Sequence, residues 1–293
     1  MIGGKRMVCL TIDLGESYLK TAIYTQITKQ LIEKEQFDSP DTWDKMKRLL
    51  DACIKTYIES YDISAISFSL PGTIHQETGK IEGLQSLEYL EEIDFRETFT
   101  STYELPVFVE SRVRCAGAAE ISLGMKDEHV NALVLLVDEG ISGAIYYEGN
   151  NYTGMHQRAG DFGKILLDGK RDLNELCSPV AMAKRYSKDR NQEFTAKEIF
   201  QRAEDGETEA ISFYEELFYY IALAIYNFQY SFDPEWIILS GEITQEEKIF
   251  EPINRKLMEI VNENKKGAII PQIRLAHFQS DASLIGAGVL ATK

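Results

Sequence analysis

Two stretches of this chain share an arrangement of residues suited to holding an anion. In the first, an apolar run from Met7 ends in Asp13 and is followed by Gly15, Ser17 and then Ala22-Ile23-Tyr24. In the second, a run from Ala132 ends in Asp138 and is followed by Gly140, Ser142, Gly143 and then Ala144-Ile145-Tyr146. A Gly-bearing turn after a strand presents backbone N–H groups to a phosphate with no side chain in the way. Chemistry of this kind needs two strands to aim each turn, and each copy reads as strand, tight turn, strand.

The elements around the two copies repeat as well. After the first, the patterning predicts a strand over Gln30 to Phe37, a helix over Thr42 to Ser60, a strand over Ile63 to Leu70, a helix near Phe95 to Tyr103 and a strand at Val107 to Val109. After the second, it predicts a strand over Lys164 to Leu167, several helices between Pro179 and Phe232, a strand at Trp236 to Leu239, a helix over Gln245 to Asn262 and a strand over Ile273 to Phe278. Duplication of this kind implies an α/β fold of two related lobes, with mixed sheets covered by helices. The expected boundaries are 1–115 plus 282–293 for the N-terminal lobe and 116–281 for the C-terminal lobe, with the ligand in the cleft between them. The aromatic stripe from Phe213 to Phe232 falls at helical spacing, which predicts core packing or a subunit interface.

Composition narrows the function classes. With 293 residues, 44% of them hydrophobic and 27% charged, the chain can bury a sizeable core. Its formal net charge of −16 argues against general affinity for nucleic acid or an anionic membrane. The longest apolar stretch, Leu217 to Phe232, is interrupted by Asn227 and Gln229 and is shorter than the roughly 20 apolar residues of a bilayer span. The apolar run at the N-terminus meets Asp13 too soon for an export signal, so a cytoplasmic location is expected. Cys9, Cys53, Cys115 and Cys177 lie far apart, as do the four histidines, which predicts buried thiols rather than disulfides or a zinc site.

The motifs taken in order resemble those of the ROK sugar kinases (repressor, open reading frame, kinase) of the actin-like ATPase superfamily. Ile12-Asp13-Leu14-Gly15-Glu16-Ser17-Tyr18-Leu19-Lys20 is similar to the family's first phosphate loop, DxGGTxxK, and Gly140-Ile141-Ser142-Gly143 lies where its second belongs. Leu70-Pro71-Gly72 with Glu77-Thr78-Gly79 resembles the PG segment and ETG turn. Glu110-Ser111-Arg112-Val113-Arg114 with Ala118-Ala119-Glu120 resembles the sugar motif ENDxN…AxGE. Gly160-Asp161-Phe162-Gly163-Lys164 resembles GExGH, and Leu239-Ser240-Gly241-Glu242 the adenosine-side LGG. The resemblance implies two ribonuclease-H-like lobes, a sugar ligand and, by analogy, a homodimer. It also implies nucleotide contacts from Asp13, Gly15, Ser17, Lys20, Gly140, Gly143 and Gly241, with Asp13 on the magnesium side. Ligand contacts are implied for Ser111, Arg112, Arg114, Asp161 and Lys164. ROK repressors carry an N-terminal helix-turn-helix module, and only six residues precede Met7, so direct nucleic-acid binding is not expected.

The departures from the family pattern decide the expected chemistry. Arg112 stands where the family has the Asp that takes the proton from the sugar hydroxyl, and a guanidinium cannot accept one. General-base catalysis is worth roughly 10²–10⁴-fold in rate, so phosphotransfer is expected to be lost or severely impaired, with Asp161 the best stand-in base. Glu16, Asp138, Glu139 and Glu242 bring carboxylates to the phosphate loops, each costing roughly 3 kcal/mol at about 5 Å from a phosphate charge. Weak ATP binding is therefore expected, and the family's zinc knuckle is missing after Lys164. The cations Arg112, Arg114 and Lys164 are expected to converge on a sugar phosphate or another small anion. His156, in the loop leading to Gly160, could approach a ligand. The expected function is a sugar or sugar-phosphate sensor or regulator. The alternatives are an ATP-dependent hexose kinase using Mg-ATP and an interaction protein with a relic cleft.

Overall fold

The computed structural model describes residues 8–75, 78–84, 87–125, 129–138, 140–188, 190–245, 249–264 and 269–292. The chain divides into two compact units, one of Met1–Glu128, Thr153–Arg158 and Asp281–Lys293, the other of His129–Tyr152 and Ala159–Ser280.

The first unit begins with the antiparallel strands β1 (Val8–Leu14), β2 (Tyr18–Thr25) and β3 (Gln30–Asp38), followed by helix α1 (Trp43–Ser60) and strand β4 (Ile63–Leu70). A small hairpin, β5 (Thr73–Ile74) and β6 (Ile81–Glu82), leads to α2 (Phe95–Tyr103), β7 (Val107–Ser111) and α3 (Arg112–Ala119). The sheet order is β3-β2-β1-β4-β7, with β1, β4 and β7 parallel. Every residue of β1 is buried, the pattern of a central strand covered on both faces. Leu10, Ile12 and Phe68 from the sheet share one core with Met46, Leu50, Phe95 and Phe99 from the helices.

The second unit repeats this plan. It contains β8 (Ala132–Val137), β9 (Ile141–Tyr147), β10 (Asn150–Tyr152), α4 (Leu173–Cys177), α5 (Pro179–Ser187), α6 (Ala196–Glu204) and α7 (Thr208–Phe232). Strand β11 (Trp236–Ser240), helix α8 (Phe250–Glu263) and strand β12 (Ile273–Leu275) complete it. The sheet order β10-β9-β8-β11-β12 matches the first sheet strand for strand, with β8, β11 and β12 parallel. Ile12 and Val137 therefore occupy equivalent central strands, as the internal repeat requires. Of the aromatic stripe, Phe218 and Phe228 are buried in the core, whereas Tyr219, Tyr230 and Phe232 are exposed.

One expected strand is absent from its place. Residues 162–164 form a 3-10 turn, and only an isolated bridge joins Leu166 to Asp172. The cause is local: Gly160 has φ +93° and its carbonyl accepts from the N–H groups of both Gly143 and Phe162, each at 2.7 Å. This backbone course folds the chain across the end of β9 instead of extending it. The last strand also stops early, at Leu275.

Helix α9 (Ala282–Ala291) closes the first unit. A Cβ on Gly286 would overlap the Cys115 carbonyl of α3, and one on Gly288 would strike the Tyr24 ring. The Gly-rich end of the chain is thus a close-packing surface, tied further by Ser67 Oγ donating to the Ala287 carbonyl at 2.8 Å.

Candidate functional site at the ends of the parallel strands

In the first unit the strand register places Asp13 beside Ser69 and Ser69 beside Glu110, a row across the carboxyl ends of β1, β4 and β7. Open α/β sheets bind ligands at this end. Asp13 is only 2% exposed, and its Oδ1 accepts from Ser69 Oγ at 2.6 Å and from Arg112 Nε at 3.3 Å. A carboxylate this buried is tolerated only when paired and hydrogen-bonded. The Arg112 guanidinium extends over Gly15, its Cζ and Nη1 lying 3.7 Å from where a Gly15 Cβ would be. A Cβ at position 15 would touch it at ordinary van der Waals distance and would press on the Tyr18 carbonyl, at 3.2 Å.

Ser111, the N-cap of α3, is 5% exposed, and its Oγ neither caps the helix nor meets any partner among the described residues. Leaving a buried hydroxyl unpaired costs about 1–3 kcal/mol. Arg114 turns the other way from Arg112. Its Nη2 donates to the Gln157 carbonyl at 2.6 Å and its Nη1 lies 3.5 Å from Glu110, with the side chain only 5% exposed. Positions two apart on a helix diverge by about 200°, so the structure brings Arg112 to Asp13 and Arg114 to the 153–158 segment rather than both to one point. His156 lies exposed on that same segment.

The first loop is pinned from β3's end by a residue the sequence reading missed. Ser39 Oγ donates to the Gly15 carbonyl at 2.6 Å and its N–H to the Ser17 carbonyl at 3.0 Å, while Gly15 N–H closes the turn on Tyr18 at 2.9 Å. Glu16 and Lys20 are half-buried and Ser17 is exposed.

In the second unit Gly143 and Gly241 hold positions where a larger residue would clash. A Cβ on Gly143 would enter the Phe162 ring, and one on Gly241, at φ +103°, would overlap Asp138 Oδ1 and the Val137 carbonyl. The Asp138 carboxylate therefore lies against the Gly241 backbone at the ends of β8 and β11. Asn174, also missed from the sequence, faces Gly140 and Gly163, and its Oδ1 accepts from Ile141 N–H at 3.0 Å. No turn or spacing signal marks it. Asp161 is half-buried and Lys164 exposed at the turn that replaces the expected strand. Glu77 and Glu139, and the side chain of Glu242, fall outside the described residues.

A cavity of about 1130 Å³ opens beside Asp138, with Phe194 and Ile243 among its apolar walls and Lys184, Lys188 and Lys197 among its charged ones. The four cysteines are free and buried. Burial raises the Cys53 thiol to about 11 and the Cys9 thiol to about 12, so neither is a thiolate at neutral pH.

The sequence profile of the ROK family matches residues 9–293. The chain belongs to the ROK family. It is 26% identical to a β-glucoside kinase of Listeria monocytogenes over 249 residues, covering 81% of this chain and 83% of that protein. It is 27% identical to the β-glucoside kinase of Klebsiella pneumoniae, covering 82% and 83%. Among solved structures, a ROK family protein from Streptococcus pneumoniae in complex with sucrose superimposes with a TM-score of 0.81 at 28% identity, covering 97% of both chains.

ROK sugar kinases use ATP with magnesium, so the fit of a divalent cation to Asp13 can be judged from the geometry. One oxygen of that carboxylate, Oδ1, already holds Ser69 Oγ and Arg112 Nε. A guanidinium charge about 5 Å from a divalent ion repels it by roughly 7 kcal/mol at an effective dielectric near 20, which offsets most of the attraction the Asp13 carboxylate would supply. As placed, Asp13 is the counter-ion of Arg112, which makes it a poorer magnesium ligand than an unpaired carboxylate.

Proposed function

We propose that this ROK protein binds a sugar and does not phosphorylate it. The observation that carries the reading is the Arg112–Asp13 pair. A guanidinium stands where a base must accept a proton, and the same guanidinium engages the carboxylate on the magnesium side. Identities of 26% and 27% to β-glucoside kinases, and 28% to a protein solved with sucrose, support a glucoside or disaccharide as the ligand class. A second reading, an ATP-dependent hexose kinase with Asp161 as base, draws support from the second unit's cavity, whose apolar and lysine-bearing walls suit a nucleotide.

Titration calorimetry with glucose, cellobiose and sucrose, followed by a coupled assay with Mg-ATP, separates these readings. Binding of at least one sugar is expected, with turnover at least about 10²-fold below that of a ROK glucokinase assayed alongside. Comparable turnover that disappears in Asp161→Asn would establish the kinase instead. Silence from every sugar would overturn both in favour of an interaction protein.

A further inference from the structure

We propose that Ser111 and Arg112 form a metal-independent site for a phosphate group, in which the guanidinium supplies the positive charge that a divalent cation would otherwise bring. The inference goes beyond sugar binding and rests on this corner of the first unit alone. Arg112 is held along one edge by Asp13, lies over the bare Cα of Gly15, and keeps 16% of its side chain exposed. A planar guanidinium oriented in this way suits the oxygens of a phosphate. Ser111 Oγ is the independent observation: it is a buried hydroxyl with no partner among the described residues, one position before Arg112 and at the end of β7. A phosphate oxygen would give it the acceptor it lacks.

The cation is covalently part of the chain, so a chelator cannot remove it, and it already bonds one oxygen of the Asp13 carboxylate. The shared chemistry is a phosphate monoester or inorganic phosphate, and two probes distinguish them.

The test is calorimetric titration with inorganic phosphate and with glucose 6-phosphate, each in magnesium and in EDTA, on the wild-type chain and on Ser111→Ala, Arg112→Gln and Arg112→Lys. The expected result is binding with the same Kd in both buffers, about tenfold weaker in Ser111→Ala and in Arg112→Lys, and lost in Arg112→Gln. Ligand-free Ser111→Ala should melt no lower than wild type, because its hydroxyl has no bond to lose. Binding of glucose 6-phosphate alone assigns a sugar phosphate; equal binding of both assigns free phosphate. A requirement for magnesium, undiminished binding by Ser111→Ala, or no binding of either probe would overturn the proposal. Should Arg112→Gln fail to fold, the serine and lysine variants decide. Neutral sugars are absent from this test, so its failure is distinct from failure of the sugar-binding reading.

Discussion

Arg112 and Arg114 have the same side chain and sit two residues apart, yet their surroundings give them different work. Arg112 balances a buried carboxylate and keeps 16% of its side chain exposed, whereas Arg114, 5% exposed, spends its fork on Gln157 and Glu110. Arg114→Ala should therefore act on stability. Removing a buried cation strands the Gln157 carbonyl and takes an ion-pair partner from Glu110, a loss of about 3 kcal/mol. Urea denaturation should report a lower midpoint, with Arg114→Lys recovering less than half, since an ammonium cannot reach both partners as the fork does. A wild-type midpoint in Arg114→Ala would mean the contact to the 153–158 segment contributes nothing.

At the scale of elements, close approach is set by glycines whose role differs from that of the turn glycines. Gly286→Ala would drive a methyl group into the Cys115 backbone and force α9 away from α3, at a cost of about 1–3 kcal/mol or more. The Tm of Gly286→Ala should fall by several degrees, whereas Gly169→Ala, where no atom lies within 4 Å of the added carbon, should lose less. Equal losses would show that α9 accommodates the methyl at no more cost than the positive φ of Gly169, +78°, imposes on alanine. The elements themselves were legible because β-branched runs, acid-ended strands and the Gly-rich last helix are local signals. The strand expected at 164–167 was not, since its alternation is overridden by the positive φ of Gly160 and the bonds it makes to Gly143 and Phe162. The site was legible in part. Asp13 and Arg112 each stood out in the sequence, but their contact depends on the parallel register that aligns Asp13, Ser69 and Glu110 across three strands. Ser39 and Asn174 act through backbone groups of distant loops, and no spacing rule reaches them.

For the whole molecule, charge sets a pH response with two opposing limbs. The chain carries 47 acidic against 31 basic residues, with a sequence pI near 4.8, so lowering the pH from 7 toward 5 reduces self-repulsion and favours the compact state. Below that, carboxylates paired in the folded protein act in the opposite sense. Asp168 is held down to about 2 by the backbone N–H and side chain of Arg171, and Glu215 is lowered by Arg255 and Lys256. A folded pKa below the unfolded value, roughly 3.9 for Asp and 4.3 for Glu, gives stability that is present above the unfolded value and lost as pH falls through the folded one. The Tm should therefore be highest near pH 5 to 6 and drop steeply below about pH 4. Glu215→Gln tests the assignment to paired groups. Its partners are partly exposed, so screening limits the loss at pH 7 to about 0.5 kcal/mol, and the variant should converge on wild type at low pH, where the carboxylate has been neutralised in both. A difference that stays constant down to pH 2 would mean the glutamine change acts through packing rather than through the ionised pair.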